Sequence, residues 1–461
     1  MKRLAPIALL GAVLLAGCNS MAPSYERPPL PVAHSYPDTD AAAADIVAAD
    51  LAWQQFFVDP RLKRLIALSL ANNRDLRVAV LNIERTRALY QIQRSFEVPN
   101  VALGATGLAE PNTNGNGTRT FYTAGLNITG YELDLFGRVR SLSDAALQQF
   151  FASEETRKAA QISLIAAVAN TYLTVLADEE QLEVARQTLD SREQSYNLIK
   201  LRYDNGAASQ FDFAQAVTLI EGARAALALL RRQRAQDLNA LVLLVGQPLP
   251  GDLPAGLALE QQGLLADLPA GLPSELLERR PDVRQAERQL KATNANIGAA
   301  RAAFFPRITL TGSVGLASED LGGLFSNRAW QFAPRITLPI FDAGANQANL
   351  EVSQANRDIA VAQYERTVQG AFREVADSLA GRANLGEQLR AQRAQAEAEA
   401  TRLRLADLRY KNGASSFLDV LDAQRSLFQV QQAVVIVQAQ QVQNLVTLYK
   451  VLGGGWVDPV N

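Results

Sequence analysis

Side chains able to carry covalent or metal chemistry are scarce in this chain. Its 461 residues include one cysteine, Cys18, and one histidine, His34. A single cysteine permits no disulfide within the chain and no thiolate metal cluster. His34 stands in the proline-rich stretch YERPPLPVAHSYP, which reads as a loose, solvated segment. There is no P-loop, no nucleophile elbow and no HExxH pair. Carboxylates are plentiful, but they lie on long helical patterns, where most form a solvated face. The sequence therefore points away from an enzyme and calls for no cofactor. Two features remain that could do chemistry of another kind: the context of Cys18, and a polar turn motif that occurs twice.

Cys18 closes the stretch MKRLAPIALLGAVLLAGC, with a basic start, an apolar run from Leu4 to Ala16 and small residues before the cysteine. This is an export signal, too short to span a bilayer stably. Its ending, Leu15-Ala16-Gly17-Cys18, resembles a bacterial lipoprotein signal, in which residues 1–17 are removed and Cys18 becomes the lipid-bearing first residue. Each buried CH₂ contributes about 0.8 kcal/mol, so several acyl chains would hold the protein firmly to a membrane. Asn19 follows, and in this resemblance a residue other than Asp there favours sorting to the outer membrane. Charge is nearly balanced, 45 Lys and Arg against 47 Asp and Glu. With no basic tract, nucleic acid is not an expected partner.

The turn motif reads LRYDNGAAS from Leu201 and LRYKNGASS from Leu408. Asn205-Gly206 and Asn412-Gly413 supply the left-handed residue that closes a helix. Ser209 and Ser416 then cap the next helix, with Asp212 and Asp419 at capping-box spacing. Held at an offset of 207, the correspondence runs outward. NRDLRVAVLNIERTRA from Asn73 falls on RPDVRQAERQLKATNA from Arg280, Pro99 on Pro306, Leu238 on Leu445 and Gly246 on Gly453. The chain reads as an internal two-fold repeat, 73–246 and 280–453.

Each repeat predicts a helix running to a proline, two strands, a long proline-free helix and a shorter returning helix. In the first repeat the strands are 99–110 and 119–133 and the later helices 137–204 and 209–246. In the second they are 306–317 and 329–341, then 344–411 and 415–452. Around them lie an N-terminal lipidated segment with an equatorial helix (18–72), a linker (247–279) and a tail (454–461). A helix over 137–204 would span about 100 Å, which no globular core accommodates. The fold class is mixed and mostly α.

The strands alternate. Ile308, Leu310, Val314 and Leu316 share one face, and Arg307, Thr309, Thr311 and Ser313 the other; Trp330, Phe332 and Ile336 oppose Gln331, Arg335 and Thr337. Spans of about 9–11 residues with one apolar face are what a transmembrane β-barrel needs. A half-buried sheet in a soluble domain would alternate in the same way, and Pro334 would be awkward in a central strand. No later stretch reads as a transmembrane helix; the longest uncharged run, 426–449, is studded with glutamines that lipid would leave unpaired. Four strands cannot close a barrel, and lipid tolerates no open edges. The barrel reading therefore forces several chains to share one barrel.

YELDLFGRVR, ERRPDVRQAERQL, AAFFPRITLTGSVG, PIFDAGANQ and LRYKNGASSFLDVLDAQRSLF together resemble the outer membrane factor family, the TolC/OprM/NodT type that serves tripartite efflux pumps. The resemblance covers roughly residues 50–456, and the lipoprotein signal is similar to that of the OprM branch. Ala343 departs from the pattern, standing beside Gly344 where the family usually has a second glycine, in FDGG. The resemblance implies a homotrimer with a 12-stranded transmembrane β-barrel continuous with a 12-helix periplasmic α-barrel. A mixed α/β equatorial region would come from residues 40–72, 247–279 and the tail. Such a protein passively conducts drugs or other small solutes outward. Its implied partners are a periplasmic adaptor (membrane fusion protein), an inner-membrane RND-type transporter and outer-membrane lipid. The repeat would supply pseudo-sixfold symmetry for a ring of six adaptor hairpins. A coiled-coil scaffold lipoprotein would share the signal and a hairpin, but not four membrane-like strands in fixed order.

The family also has a periplasmic constriction just after the second hairpin tip. Carried over, it consists of Leu418, Asp419 and Asp422, with Tyr410 on the preceding helix. Three copies of a carboxylate around a narrow axis would repel one another and favour cations, and Leu418 would add an apolar constriction. Asp212 repeats Asp419, so helix capping accounts for Asp419 as well as gating does. Asp422 faces Gln215 in the other repeat, where no cap is required, so Asp422 and Leu418 are the gate residues the repeat favours. The tips, Asn205, Gly206 and Ser209 with Asn412, Gly413 and Ser416, are the expected adaptor contacts.

Overall fold

The computed structural model describes residues 20–36, 48–112, 115, 117–263 and 276–456. Cys18 and the signal segment 1–17 lie outside the described residues, as do 264–275 of the linker and 457–461 of the tail. The main elements, in chain order, are α1 (Pro60–Asn72), α2 (Arg74–Ser95), β1 (Val101–Pro111), β2 (Thr118–Leu133), α3 (Arg138–Asp204) and α4 (Gln210–Val245). They continue as α5 (Pro281–Ala302), β3 (Arg307–Ser318), β4 (Arg328–Thr337), α6 (Ala345–Lys411) and α7 (Phe417–Val451).

The offset of 207 seen in the sequence recurs in the contacts. α3 and α6 each have 67 residues, and α2 and α5 each have 22. Gly246 (φ 78°) and Gly453 (φ 87°) both adopt left-handed backbone. A Cβ at Gly246 would lie 2.5 Å from the Asn72 carbonyl oxygen, and one at Gly453 2.7 Å from that of Arg279. The Asn73 side-chain Nδ2 donates to the Leu244 carbonyl at 3.0 Å, and the Arg280 guanidinium donates to that of Val451 at 3.2 Å. Glycine is required at both helix ends because a neighbouring backbone occupies the space of its side chain.

The chain forms two compact units. The first draws on residues up to Pro31, Val80–Thr156 and Asp282–Thr367 and holds a four-stranded antiparallel sheet in the order β1-β2-β3-β4. β2 meets β3, which joins the two repeats, from Tyr122↔Ser318 to Leu133↔Ile308, with a bulge between Ile128 and Tyr131. β1 and β4 are open edges. Pro334 sits in β4 opposite Leu310, so a residue without an N–H falls on an edge strand, where it is tolerated. Leu103, Leu126, Val314, Trp330, Phe332 and Ile336 are all exposed on one face. Residues 20–31 run along α5: Asn294 donates to the Pro23 carbonyl at 2.7 Å, and Tyr25 and Arg27 reach the Glu287 carboxylate at 3.0 and 3.2 Å.

The second unit comprises Val32–Ala79, Arg157–Pro281 and the chain from Val368 onward. Phe56 and Tyr449 stack with ring centres 4.0 Å apart, beside the buried Phe57, Leu62, Leu65 and Ile66. Asp59 caps α1 through the Arg61 and Leu62 amides, with Pro60 at the first helical position. Its second oxygen accepts from the Tyr172 hydroxyl (3.0 Å), the Leu257 amide (2.9 Å) and Gln262 (2.7 Å). One carboxylate thus fixes the linker to α3.

Two expectations need correction. The equatorial segments carry no strand among the described residues: 48–72, 247–263 and 276–279 form helices and turns. Pro248, Pro250 and Pro254 deny that linker a ladder, and Asp59 anchors it instead. Also, α3 and α4 each contain a stretch as apolar as a membrane span. More than half of that stretch in α3 is buried against protein, as an alanine-rich packed helix would be.

Candidate functional site

The two hairpin tips lie in the second unit. At the first, the Gly206 amide donates to the Tyr203 carbonyl at 2.9 Å and the Ala207 amide to that of Arg202 at 2.7 Å. At the second, Gly413 donates to Tyr410 at 3.0 Å and Ala414 to Arg409 at 2.8 Å. With φ of 72° at Gly206 and 71° at Gly413, both are Schellman closures, which satisfy the last carbonyls of a helix. Asn205 and Asn412 add side-chain bonds to Leu201 and Leu408.

The tips then diverge. Ser209 accepts from the Asp212 amide at 3.1 Å while Asp212 accepts from the Ser209 amide at 3.3 Å, a complete capping box. Ser416 makes no side-chain cap, so the box expected of Ser416 and Asp419 does not form. Packing fixes this helix start instead. Phe417 is buried with Val420 and Leu421 against Ile199 and Ala216, and its ring lies 5.1 Å from that of Tyr410. At the first tip the matching position, Gln210, is polar and the next residue, Phe211, is exposed. Capping therefore does not account for Asp419.

Of the four proposed gate residues, Tyr410 packs against this cluster, and Leu418, Asp419 and Asp422 lie on α7. Leu418 is 54 % exposed and Asp419 is exposed without a partner among the described residues. Asp422 is not a free charge: Arg402 reaches it at 2.5 Å, Arg425 also binds it, and Arg402 bonds Glu399 at 3.2 Å. The Arg402 hydrogen bond, with Arg425 beside it, holds the Asp422 carboxyl below the usual carboxylate range. The Asp422 charge expected to stand bare is thus neutralised within the chain, which leaves Asp419 as the unpaired carboxylate among the gate candidates. Tyr410 accepts a hydrogen bond from Arg202, whose guanidinium also lies 5.6 Å from its ring centre. The residue ties α6 to α3. Arg425 was legible in the sequence as an i,i+3 partner of Asp422; Arg402 and Arg202 come from other helices and carried no local signal.

Both tips leave apolar side chains open. Leu198, Leu201 and Phe211 are exposed on the first hairpin, and Leu405, Leu408 and Leu418, each 207 positions on, are exposed on the second. Repeated uncovered surface of this kind marks a site of association. The arrangement is that of a membrane-associated assembly protein, with an apolar-faced open sheet and two helical hairpins.

Residues 65–247 and 272–454 each match the outer membrane efflux protein family, and the chain belongs to it. It is 47 % identical over 459 residues to the probable efflux pump outer membrane protein TtgC of Pseudomonas putida, covering 97 % of this chain and 94 % of that one. It is 47 % identical over 457 residues to outer membrane protein OprJ of Pseudomonas aeruginosa, with 97 % and 95 % covered. Among solved structures, the open state of the MtrE outer membrane channel of Neisseria gonorrhoeae is similar at a TM-score of 0.87 and 46 % identity, covering 95 % of this chain and 99 % of that one. The protein is an outer-membrane efflux channel, and its family is one of transport channels.

Proposed function

We propose that three copies of this chain form the exit duct of a tripartite pump. The observation that carries this reading is the sheet: four strands, two open edges and one exposed apolar face. Such a sheet cannot stand alone in lipid, where unpaired edges are not tolerated, and three copies supply the twelve strands of a closed barrel. The same multiplication turns α3, α4, α6 and α7 into a twelve-helix periplasmic wall, and the shorter α2 and α5 extend it. Two hairpins per chain give six tips for an adaptor, reached through Asn205, Gly206, Ser209, Asn412, Gly413 and Ser416 and the apolar residues beside them. An inner-membrane RND-type transporter drives drugs or other small solutes through the lumen, and a lipid on Cys18 adds a second hold on the membrane.

At the closed end, Leu418 narrows the lumen and Asp419 lines it, while the Asp422–Arg402–Arg425 cluster and the Arg202–Tyr410 bond hold the tips in register. Detergent extracts of outer membrane should yield a heat-modifiable trimer that forms channels in planar bilayers. The double variant Asp422→Ala, Leu418→Ala should raise single-channel conductance. Wild-type conductance in that variant would remove these residues from the gate, and a monomer without channels would remove the duct.

A further inference from the structure

The barrel end of the duct carries charge that the periplasmic tips do not explain. On β3 and β4 the face opposite Val314, Trp330, Phe332 and Ile336 bears Arg307, Thr309, Thr311, Ser313, Gln331, Arg335 and Thr337. Cross-strand registers set Glu132 opposite Thr309 and Thr309 opposite Arg335, with Arg307 opposite Thr337 one row nearer the helices. Glu132, Arg307 and Arg335 therefore share one end of one face.

Their pairing is unequal. Arg138 grips Glu132 with two bonds, at 2.8 and 2.7 Å, and Arg307 reaches the same carboxylate at 2.6 Å. The two nearby aspartates serve helix starts: Asp134 accepts from the Arg140 amide at 2.8 Å, and Asp342 accepts from the Gly344 and Asn346 amides. Arg335 is exposed and has no hydrogen-bond or ion-pair partner among the described residues. Three arginines thus stand against one carboxylate already bound twice. β1, the edge that must meet β4 of the next copy, places only Ala102, Gly104, Thr106 and Leu108 on this face before Glu110 near its far end.

We propose that Arg335 forms a ring of three unpaired cations in the lumen at the periplasmic end of the β-barrel and sets the ion selectivity of the outer part of the duct. The inference rests on the trimeric duct reading. Twelve strands about 4.8 Å apart and tilted by about 40° close at a backbone radius of about 12 Å. An arginine reaching roughly 6 Å inward leaves the three guanidiniums about 10 Å apart. That is close to the Debye length of about 8 Å at physiological salt, so their fields overlap across the bore. Anionic solutes are favoured there and cations opposed, the reverse of what Asp419 does at the tips.

The test is the reversal potential of the purified trimer in planar bilayers under a low-salt KCl gradient. Arg335→Glu should raise the K⁺ over Cl⁻ permeability ratio by about threefold or more, Arg335→Gln by less, and Arg335→Lys should leave it unchanged. The difference should shrink at about 1 M salt, where the Debye length is near 3 Å. A conducting Arg335→Glu channel with wild-type selectivity overturns the proposal alone. Absence of any channel in the unaltered protein overturns the duct reading first. Where the charge reversal does not assemble, Arg335→Cys exposed after insertion to anionic and cationic thiol reagents should shift the potential in opposite directions; no shift with either reagent overturns the proposal.

Discussion

Asp178 on α3 is a carboxyl group placed where a carboxylate is costly. It is buried, and burial together with Asp237 on α4 raises its pKa to about 7. Arg234, the nearest cation, is committed to Glu179 at 2.5 Å, and Gln233 donates to Asp237 at 3.0 Å. The folded protein therefore keeps a proton that the unfolded chain releases near pH 4. Stability from this group is full below that pH and declines as pH rises toward 7, then levels off. Asp178→Asn, which keeps a donor toward Asp237, should raise the melting temperature of the protein at pH 8 and leave it nearly unchanged at pH 4.5. An equal gain at both values would show that the pair is not protonated in the folded state. Neither Asp178 nor Asp237 stood out in the sequence, because 58 residues lie between them and they meet only once α3 and α4 close into a hairpin.

At the scale of elements, the two hairpins are near copies that start their second helices differently. Ser209 caps α4 through a full box, whereas α7 starts on the buried Phe417 with Ser416 uninvolved. Ser209→Ala should therefore destabilise the first turn of α4 by about 1 kcal/mol, read as roughly fivefold faster amide exchange there. Ser416→Ala should change exchange at the start of α7 hardly at all; equal losses at both tips would contradict the difference. The strand-to-helix turn before α6 holds a similar lesson. Ala343 takes φ 55° ahead of Gly344 at φ 86°, so a side chain occupies left-handed backbone where a glycine would sit without strain.

At the scale of the whole molecule, the faces of the sheet decide what the chain can enter. Phe332 and Gln331 are neighbours on β4 that point to opposite faces. Phe332→Arg, on the apolar face near mid-strand, should cost about 2–4 kcal/mol of membrane stability and lower the yield of heat-modifiable trimer. Gln331→Arg, on the lumen face, should assemble normally. Equal yields of the two variants would mean that the apolar face does not meet lipid.

Local sequence determined the elements. A proline-free alanine- and leucine-rich stretch favours a helix, alternation writes a strand, and Asn-Gly writes the left-handed stop, so 137–204, the four strands and both tips were legible in the sequence. The offset of 207 likewise exposed the pairing of Gly246 with Gly453. Tertiary structure decided which charges survive. Arg402 and Arg425 cancel Asp422, and Phe417 displaces the Ser416 cap, while Arg335 is left alone once Glu132 has gone to Arg138 and Arg307. Apart from the i,i+3 spacing of Asp422 and Arg425, those outcomes depend on side chains distant in the chain competing for one partner, and such a competition has no signature in the order of the residues.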